Sequence, residues 1–480
     1  MKNIFNAKYS SNVLIITITS LLLFIVCVNQ PIDPDMWWHL QNGQLVFTEG
    51  SITTIDLFSF TKYGQPWTNA FWLSDLLIFC LFKLGGFSLL VSFFAILGSL
   101  TYMMIFFISP GPYLLRAFLV VLAAISTAPE WTIRPQVFSF LFFAILNVYL
   151  IKNLNLKWKN FLWLPFLFLF WVNIHGGYIW GFLLLIAVIV GSLYEIYIHK
   201  NESSSKSAWK RFSLIVIVSF VFVLINPNGF AMLRLPFQTI DVSITSIVEW
   251  SSPNFHDFFM QPFLWVVLLF IASLSFSENR LTMDQLLKVL GFLFLAFVSQ
   301  RNIPLAVIVI MPILIEKANE LVIDLRKWKQ QDQKTKQSIK GSGFINFFII
   351  LIVVFVCVLR VKTQIAEKFI RGTYPVNAVR WIRENNPKGN MLNSYNWGGY
   401  LIYNLPEYKV FIDGRADLYG KELISTWWRI VSNDHDAIND LNTYKINFLL
   451  VEPNQPIVEE LLAQNWKIAF EDELSIIVTR

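Results

Sequence analysis

The feature that most constrains this chain is a series of apolar runs close to the length that crosses a lipid bilayer. About 20 apolar residues in an α-helix span the hydrocarbon core. Four runs meet this length, at residues 12–29, 87–108, 177–198 and 343–360. Shorter apolar stretches bounded by Pro, Gly or charges are interpreted as further spans, at 115–128, 137–151, 160–172, 212–226, 262–276, 285–299 and 303–316. The sequence predicts a polytopic α-helical membrane protein with about 11 transmembrane helices.

Composition excludes a soluble globular protein. Of the 480 residues, 55% are hydrophobic and only 15% are charged, so a water-soluble fold of this length would expose too much apolar surface. The net charge of +6 is explained by basic loops, which disfavours nucleic-acid binding and makes membrane lipid the expected surroundings.

The distribution of Lys and Arg predicts the orientation, because cytoplasmic loops carry an excess of these residues. The segments 30–86 and 227–261 are richer in acids and are predicted to lie outside. Alternation of sides then requires the apolar stretch Trp72 to Lys83 to be an interfacial helix. The N-terminus is predicted to be cytoplasmic, together with four basic segments at 2–8, 152–159, 200–211 and 317–340.

Two domains are expected. Residues 1–360 form the transmembrane domain with its first outer loop at 30–86, and residues 361–480 form a small extracytoplasmic α/β domain. In this tail, 375–384 and 456–464 are predicted to be helical, and 410–413 and 446–451 are predicted to be buried strands.

Polar and aromatic residues follow a predicted strand of the tail, where α/β folds usually carry their sites. Trp397, Asp413 and Arg415 are the candidates there. The alternative is turn chemistry with an internal pair between Asp413 and Arg415.

The strongest chemical signal follows the first apolar run, where Asp33 and Asp35 precede the pair Trp37 and Trp38. A carboxylate that is partly desolvated by tryptophans at the membrane surface is suited to act as a general base. The alternative is that Asp33 caps a helix and the tryptophans form an interfacial belt. Residue spacing leaves both interpretations open.

Other polar residues fall on the same predicted side, at the ends of further spans. Ionisable residues in such places are costly, so function is the default hypothesis. Arg134 and Arg301 have the alternative of reaching lipid headgroups. Converging carboxylates and guanidiniums are typical of a site for an anionic leaving group, and the set consists of Glu130, Arg134, Asn173, His175 and Arg301.

Several short motifs combine polar, aromatic and glycine residues along most of the chain. They are Asp-x-Asp-x-Trp-Trp-His-Leu at 33–40, Asp-x-Phe-Ser-x-Thr at 56–61, Arg-Pro-Gln-x-Phe-Ser at 134–139, Asn-x-His-Gly-Gly at 173–177, Asn-Pro-Asn-Gly at 226–229, Trp-Gly-Gly-Tyr-Leu at 397–401 and Asp-Gly-Arg at 413–415. Together these motifs resemble those of bacterial membrane proteins grouped with the GT-C glycosyltransferases. One position departs from that pattern, because Phe71 stands where relatives often have a carboxylate.

The resemblance implies an inverting glycosyltransferase of the bacterial inner membrane, related to protein O-mannosyltransferases. Such an enzyme takes a sugar from a polyprenyl-phosphate-linked donor and passes it to a glycan, lipid or protein acceptor outside the cytoplasm. By the resemblance, Asp35 is the base, with Asp33 as the near alternative.

The same resemblance implies further roles. Arg134 and Arg301 would hold the donor phosphate, since guanidinium pairs with phosphate oxygens. A divalent cation near Asp33, Asp35 and His39 is an open possibility, because these are ligand types without a discriminating spacing. The substrate-orienting residues would be His39, Glu130, Asn173 and His175.

Two other classes of function remain possible at this stage. A lipid or polysaccharide transporter or flippase would fit the number of spans, although transporters usually place ionisable groups near the bilayer midplane. A non-catalytic membrane scaffold would need no convergence of acids and arginines.

Overall fold

The structure is a computed structural model and describes residues 11–28, 33–153, 157–198, 206–236, 248–330, 343–364 and 367–480. It is predominantly helical up to residue 364. Each apolar stretch predicted to span the membrane overlaps a helix. These helices, with one more at 34–49, are α1 Ser11–Cys27, α2 Pro34–Glu49, α3 Trp72–Ile108, α4 Tyr113–Ser126, α5 Gln136–Lys152, α6 Leu164–Ile174, α7 Tyr178–Tyr197, α8 Lys206–Phe222, α9 Gln261–Ser275, α10 Met283–Val298, α11 Ile303–Gln330 and α12 Gly343–Gln364. A further helical segment covers 231–236.

Two of the described helices, α3 and α7, are long and apolar enough to cross a membrane by length and composition. Helix α3 is broken near its middle, at Gly85 and Gly86. Gly86 has a φ of 61° and a ψ of −156°, a backbone conformation open mainly to glycine. The break separates an arm that begins at Trp72 from the apolar run at 87–108, as the sequence predicted.

The predicted first outer loop contains helix α2. Asp33 is its N-cap and accepts a hydrogen bond from the backbone N–H of Asp35, so the capping interpretation of Asp33 is correct. Gly43 of α2 packs directly against the backbone carbonyl of Asp75 in the first arm of α3, leaving no room for a Cβ. This close approach fixes α2 on the arm of α3.

The C-terminal part is an α/β unit with a four-stranded sheet in the order β1-β2-β4-β3. Strand β1 is parallel to β2, and the other two pairings are antiparallel. The strands are β1 Asn390–Asn393, β2 Ile446–Val451, β3 Lys467–Glu471 and β4 Ile476–Thr479, and the helices are α13 Glu367–Thr373, α14 Val376–Asn385, α15 Gly398–Asn404, α16 Ala416–Val431, α17 Ala437–Thr443 and α18 Pro456–Ala463.

The prediction of a strand at 410–413 is wrong. The segment is buried but forms only an isolated parallel bridge to the first outer loop. Val410 exchanges backbone hydrogen bonds with that loop, donating to Phe58 and accepting from Phe60, both at 3.1 Å. The backbone of Val410 therefore pairs with the outer loop and not with the four-stranded sheet.

The helical part and the C-terminal part share one hydrophobic core. Trp37 of α2 packs edge-on against Tyr374 and Tyr400, with ring centroids 5.5 and 5.0 Å apart. Edge-to-face contacts of this kind add about 0.5–1.5 kcal/mol beyond the burial of area. The tail is thus fastened directly over the N-terminal end of α2.

Candidate active site

The two acids that follow α1 lie on the first turn of α2. Oδ1 of Asp33 accepts from the backbone N–H of Asp35 at 3.0 Å. Oδ1 of Asp35 accepts from Nε1 of Trp38 at 3.2 Å. Asp33 is almost completely buried, whereas the side chain of Asp35 retains 22% of its exposure. Asp35 is therefore the member of the pair that a substrate can reach.

Arg134 joins these acids to a third one. Its Nε lies 2.6 Å from Oδ1 of Asp33, and one of its terminal nitrogens lies 3.3 Å from Oδ2 of Asp35. The other terminal nitrogen donates to both oxygens of Glu249 at 2.8 and 2.7 Å. The guanidinium is thus shared among three carboxylates.

Burial and the neighbouring charges shift the pKa values of the carboxyl groups in this cluster in opposite directions. Burial raises the pKa of Asp33 to about 6, against the attraction of Arg134. Burial also acts on Glu249, but Arg134 and Arg301 outweigh it and bring the pKa of Glu249 below its usual value. Glu249 was not predicted, since only the general acidity of the segment 227–261 marked it.

Arg301 is held in a different way. Its Nε donates to Oε1 of Gln136 at 2.9 Å, and its guanidinium lies over the ring of Trp250 at 5.3 Å. Nε2 of Gln136 donates in turn to Glu130 at 3.2 Å. Glu130 thereby orients the amide so that its oxygen faces Arg301. Within the described ranges, Arg301 forms no salt bridge.

Burial, reinforced by the neighbouring charge of Glu249, raises the pKa of Glu130 to about 8. The carboxyl group is therefore mainly protonated at neutral pH. Glu130 lines neither of the two cavities at the site, so it acts on the site through Gln136.

Two cavities meet at Asp35. The larger has a volume of about 500 Å³ and the smaller about 130 Å³. Asp35, Arg134, Trp250, Arg301 and Gly414 line both. The larger one extends between helices along apolar side chains, which are Ile179, Trp180, Leu183, Leu235, Leu295 and Leu305. The smaller one is more polar and adds Glu249, Tyr395 and Asn396.

Both predicted histidines line the larger cavity. Nδ1 of His39 lies 2.6 Å from Oδ1 of the buried Asp75. Nδ1 of His175 accepts from the backbone N–H of Gly177 at 3.0 Å and lies 2.7 Å from the Ser139 hydroxyl. Burial and nearby positive charge lower the pKa of His175 to about 3. His175 is therefore neutral, with its remaining proton on Nε2.

Other predicted residues are placed away from the cavities. Asn173 binds the backbone carbonyls of Leu169 and Ile225 and accepts from Trp72. Nε1 of Trp397 donates to the carbonyl of Thr373 at 3.2 Å. Their hydrogen bonds hold neighbouring segments together.

The pair of Asp413 and Arg415 is internal, as the alternative interpretation had it. Arg415 donates to both oxygens of Asp413 at 2.9 and 2.7 Å and lies 2.9 Å from Asp56 of the outer loop. Arg415 also contributes to the wall of the larger cavity. The pair joins the C-terminal unit to the first outer loop.

A cation site receives no support from the residues that the structure describes. They contain no group of three His, Cys, Asp or Glu side chains placed to hold a metal. Asp33 and Asp35 face the Arg134 guanidinium, and His39 faces Asp75. The ligand types predicted for a cation thus have other partners.

Solved structures were compared with the whole chain. The oligosaccharyltransferase AglB from Archaeoglobus fulgidus, in complex with an inhibitory peptide and a dolichol-phosphate, aligns with 91% of this chain and 69% of its own, at 10% identity and a TM-score of 0.60. The A. fulgidus oligosaccharyltransferase tethered to an acceptor peptide aligns with 94% and 70%, at 10% identity and a TM-score of 0.56. The chain has the GT-C fold.

The likeness in fold agrees with the multi-pass membrane protein that the sequence predicts. ArnT from Cupriavidus metallidurans, bound to undecaprenyl phosphate, aligns over 97% of both chains at 12% identity and a TM-score of 0.49. No protein-family model and no curated protein matches the sequence. At such low identity the GT-C likeness concerns the fold, and function has to be argued from the site.

Proposed function

We propose that this chain is an inverting membrane glycosyltransferase that moves a sugar from a polyprenyl-phosphate donor to an acceptor outside the cytoplasm. The observation that carries the proposal is the position of Asp35, where a larger, mainly apolar cavity meets a smaller, more polar one. A lipid-linked donor and a hydrophilic acceptor need such a pair of compartments. The AglB structure contains a dolichol-phosphate and a peptide, which agrees with this division.

The larger cavity suits the donor. Its apolar walls on α7, α10 and α11 suit an isoprenoid chain, and Arg301 offers a guanidinium that no described carboxylate pairs with. Guanidinium binds phosphate oxygens with two parallel hydrogen bonds. Arg301 is therefore proposed to bind the donor phosphate.

Arg134 is proposed to act differently from the expectation that it binds phosphate. An anion beside Arg134 would meet three carboxylates at 2.6 to 3.3 Å from that guanidinium. The Coulomb repulsion among like charges at such distances disfavours phosphate there. Arg134 is instead proposed to hold Asp35 in place.

The reaction follows from these positions. Asp35 takes the proton of the acceptor hydroxyl while the hydroxyl oxygen attacks the anomeric carbon of the sugar. The bond from that carbon to the phosphate oxygen breaks, and polyprenyl phosphate leaves with the electron pair beside Arg301. A single displacement inverts the anomeric centre.

The proposed topology follows the charge distribution. Eleven spans, a cytoplasmic N-terminus and an extracytoplasmic domain at 361–480 place the cavities on the outer face of a bacterial inner membrane. The helical domain at 1–360 and the tail are proposed as the two domains, although helix α12 continues to Gln364.

The test is sugar transfer in reconstituted liposomes. Wild type is compared with Asp35→Asn and Asp33→Asn, using radiolabelled polyprenyl-phosphate sugars and an acceptor extract. Asp257→Asn is the matched control, because Asp257 is exposed and lines neither cavity. We expect wild type and the control to release polyprenyl phosphate and transfer label, whereas Asp35→Asn folds but is inactive.

Two outcomes would contradict the proposal. If Asp35→Asn matches wild type, the base is misassigned. If no donor is consumed while labelled lipid crosses the bilayer, the protein is a transporter of those lipids.

A further inference from the structure

The turn Asp413-Gly414-Arg415 of the C-terminal unit touches the proposed base directly. A Cβ built on Gly414 would overlap Oδ1 of Asp35 and lie 2.8 Å from its Cγ. Gly414 does not have a positive φ, so its backbone conformation is open to any residue. Glycine is needed there because Asp35 occupies the space of a side chain.

Two further glycines allow close packing around the same turn. A Cβ on Gly398 would overlap the carbonyl oxygen of Ile412, and one on Gly399 would overlap the carbonyl oxygen of Pro34. Gly398 and Gly399 belong to the Trp-Gly-Gly-Tyr motif. That motif and the Asp-Gly-Arg motif therefore let the C-terminal unit approach the first turn of α2 with backbone against backbone.

The turn is rigid. Arg415 is fixed by Asp413 and Asp56, as described above, and its guanidinium lies 5.0 Å from the ring centroid of Phe58 and 4.8 Å from that of Trp67. Buried charge-assisted hydrogen bonds of this kind leave few alternative arrangements. Gly414 thus presents a fixed surface to Asp35.

We infer that Gly414 is a positioning residue for the sugar-transfer step. It confines Oδ1 of Asp35, while Arg134 lies 3.3 Å from Oδ2, and so holds the carboxylate at the junction of the two cavities. This inference rests on the proposed function of Asp35. It assigns to the C-terminal unit a part in catalysis that requires no chemical group of its own.

The test is Gly414→Ala in the full-length protein in liposomes. The methyl group added at this position would overlap the end of the Asp35 side chain and not the backbone. We therefore expect the protein to fold and the Asp35 carboxylate to shift. A displacement of about 1 Å at a reacting group can cost about 100-fold in rate. We expect kcat to fall about 100-fold while the KM for the donor changes less than about threefold.

Two glycine variants serve as comparisons. Gly372→Ala is the matched control, because no atom lies within 4 Å of a Cβ there, and we expect it to behave as wild type. In Gly399→Ala, the added methyl group would overlap the carbonyl oxygen of Pro34, which can move only if the backbone moves with it. We expect that variant to lose thermal stability in detergent, whereas Gly414→Ala keeps it.

The outcomes separate this inference from the proposed function. If Asp35→Asn is inactive while Gly414→Ala has wild-type kcat, Gly414 does not position the base. If Gly414→Ala loses stability as much as Gly399→Ala does, its role is to dock the C-terminal unit and the inference is wrong. If Asp35→Asn is itself active, the proposed function fails first.

Discussion

Arg134→Gln is the substitution whose effect the structure determines most directly. It removes the cation shared by Asp33, Asp35 and Glu249 and leaves three carboxylates facing one another. Breaking a buried ion pair by removing one partner typically costs 3–5 kcal/mol. Since Asp33 is only 7% exposed, we expect a loss of about 3–5 kcal/mol in unfolding free energy at pH 8.

The loss should depend on pH. Without Arg134, the attraction that holds the pKa of Glu249 below its usual value and opposes the raised pKa of Asp33 is gone, so these folded-state pKa values rise. Protonation then relieves the repulsion as the pH falls through the raised values. The difference in stability between variant and wild type should therefore be largest at pH 8 and should shrink towards pH 5.

The assay is the melting temperature of detergent-purified protein, followed by tryptophan fluorescence between pH 5 and pH 8. Arg280→Gln is the control, because Arg280 is exposed. Arg134→Lys should be intermediate, since one ammonium cannot match the fork of a guanidinium. A deficit that is equal at pH 5 and pH 8, or absent at both, would refute the role assigned to Arg134.

Two further predictions concern the contacts behind Arg301. In wild type, the Glu130 carboxyl is protonated in the folded state up to a pKa of about 8 but ionises above pH 4.5 in the unfolded state, so the melting temperature should decline between these two pH values. Glu130→Gln should make this decline less steep. Equal slopes in variant and wild type would count against the prediction. Gln136→Ala removes the acceptor of Arg301 and should raise the donor KM about tenfold with kcat nearly unchanged; an unchanged KM would argue against phosphate binding by Arg301.

The helical part of the fold could be predicted because lipid imposes a length on apolar runs. For helix α2, the sequence indicated only an N-cap at Asp33. Its buried residues include Trp37 and His39 and form no uninterrupted apolar run, so the helix itself could not be predicted in this way. The strand assigned to 410–413 was wrong because a short buried run does not reveal its hydrogen-bond partner. That partner, the loop at Phe58 and Phe60, is far away along the chain.

The site was predictable in part. Asp33, Asp35, Arg134 and Arg301 were predicted to lie on one side of the membrane. The structure brings Asp35, Arg134 and Arg301 to one pair of cavities, and Asp33 is buried against Arg134. Glu249 was missed, because a long-range ion pair leaves no periodic signal in sequence. The membrane sidedness of the termini and the number of spans remain predictions from charge and hydropathy.

The place of the C-terminal unit follows from its topology. Tyr395 and Asn396 come directly after the carboxyl end of β1 and line the smaller cavity, the kind of position where α/β folds carry binding residues. An acceptor in that cavity would lie against these side chains as well as Asp35. If the proposed function holds, the loops of the unit form the wall on the acceptor side. Acceptor preference should then change with substitutions of Tyr395 and Asn396, whereas donor preference should depend on the helices.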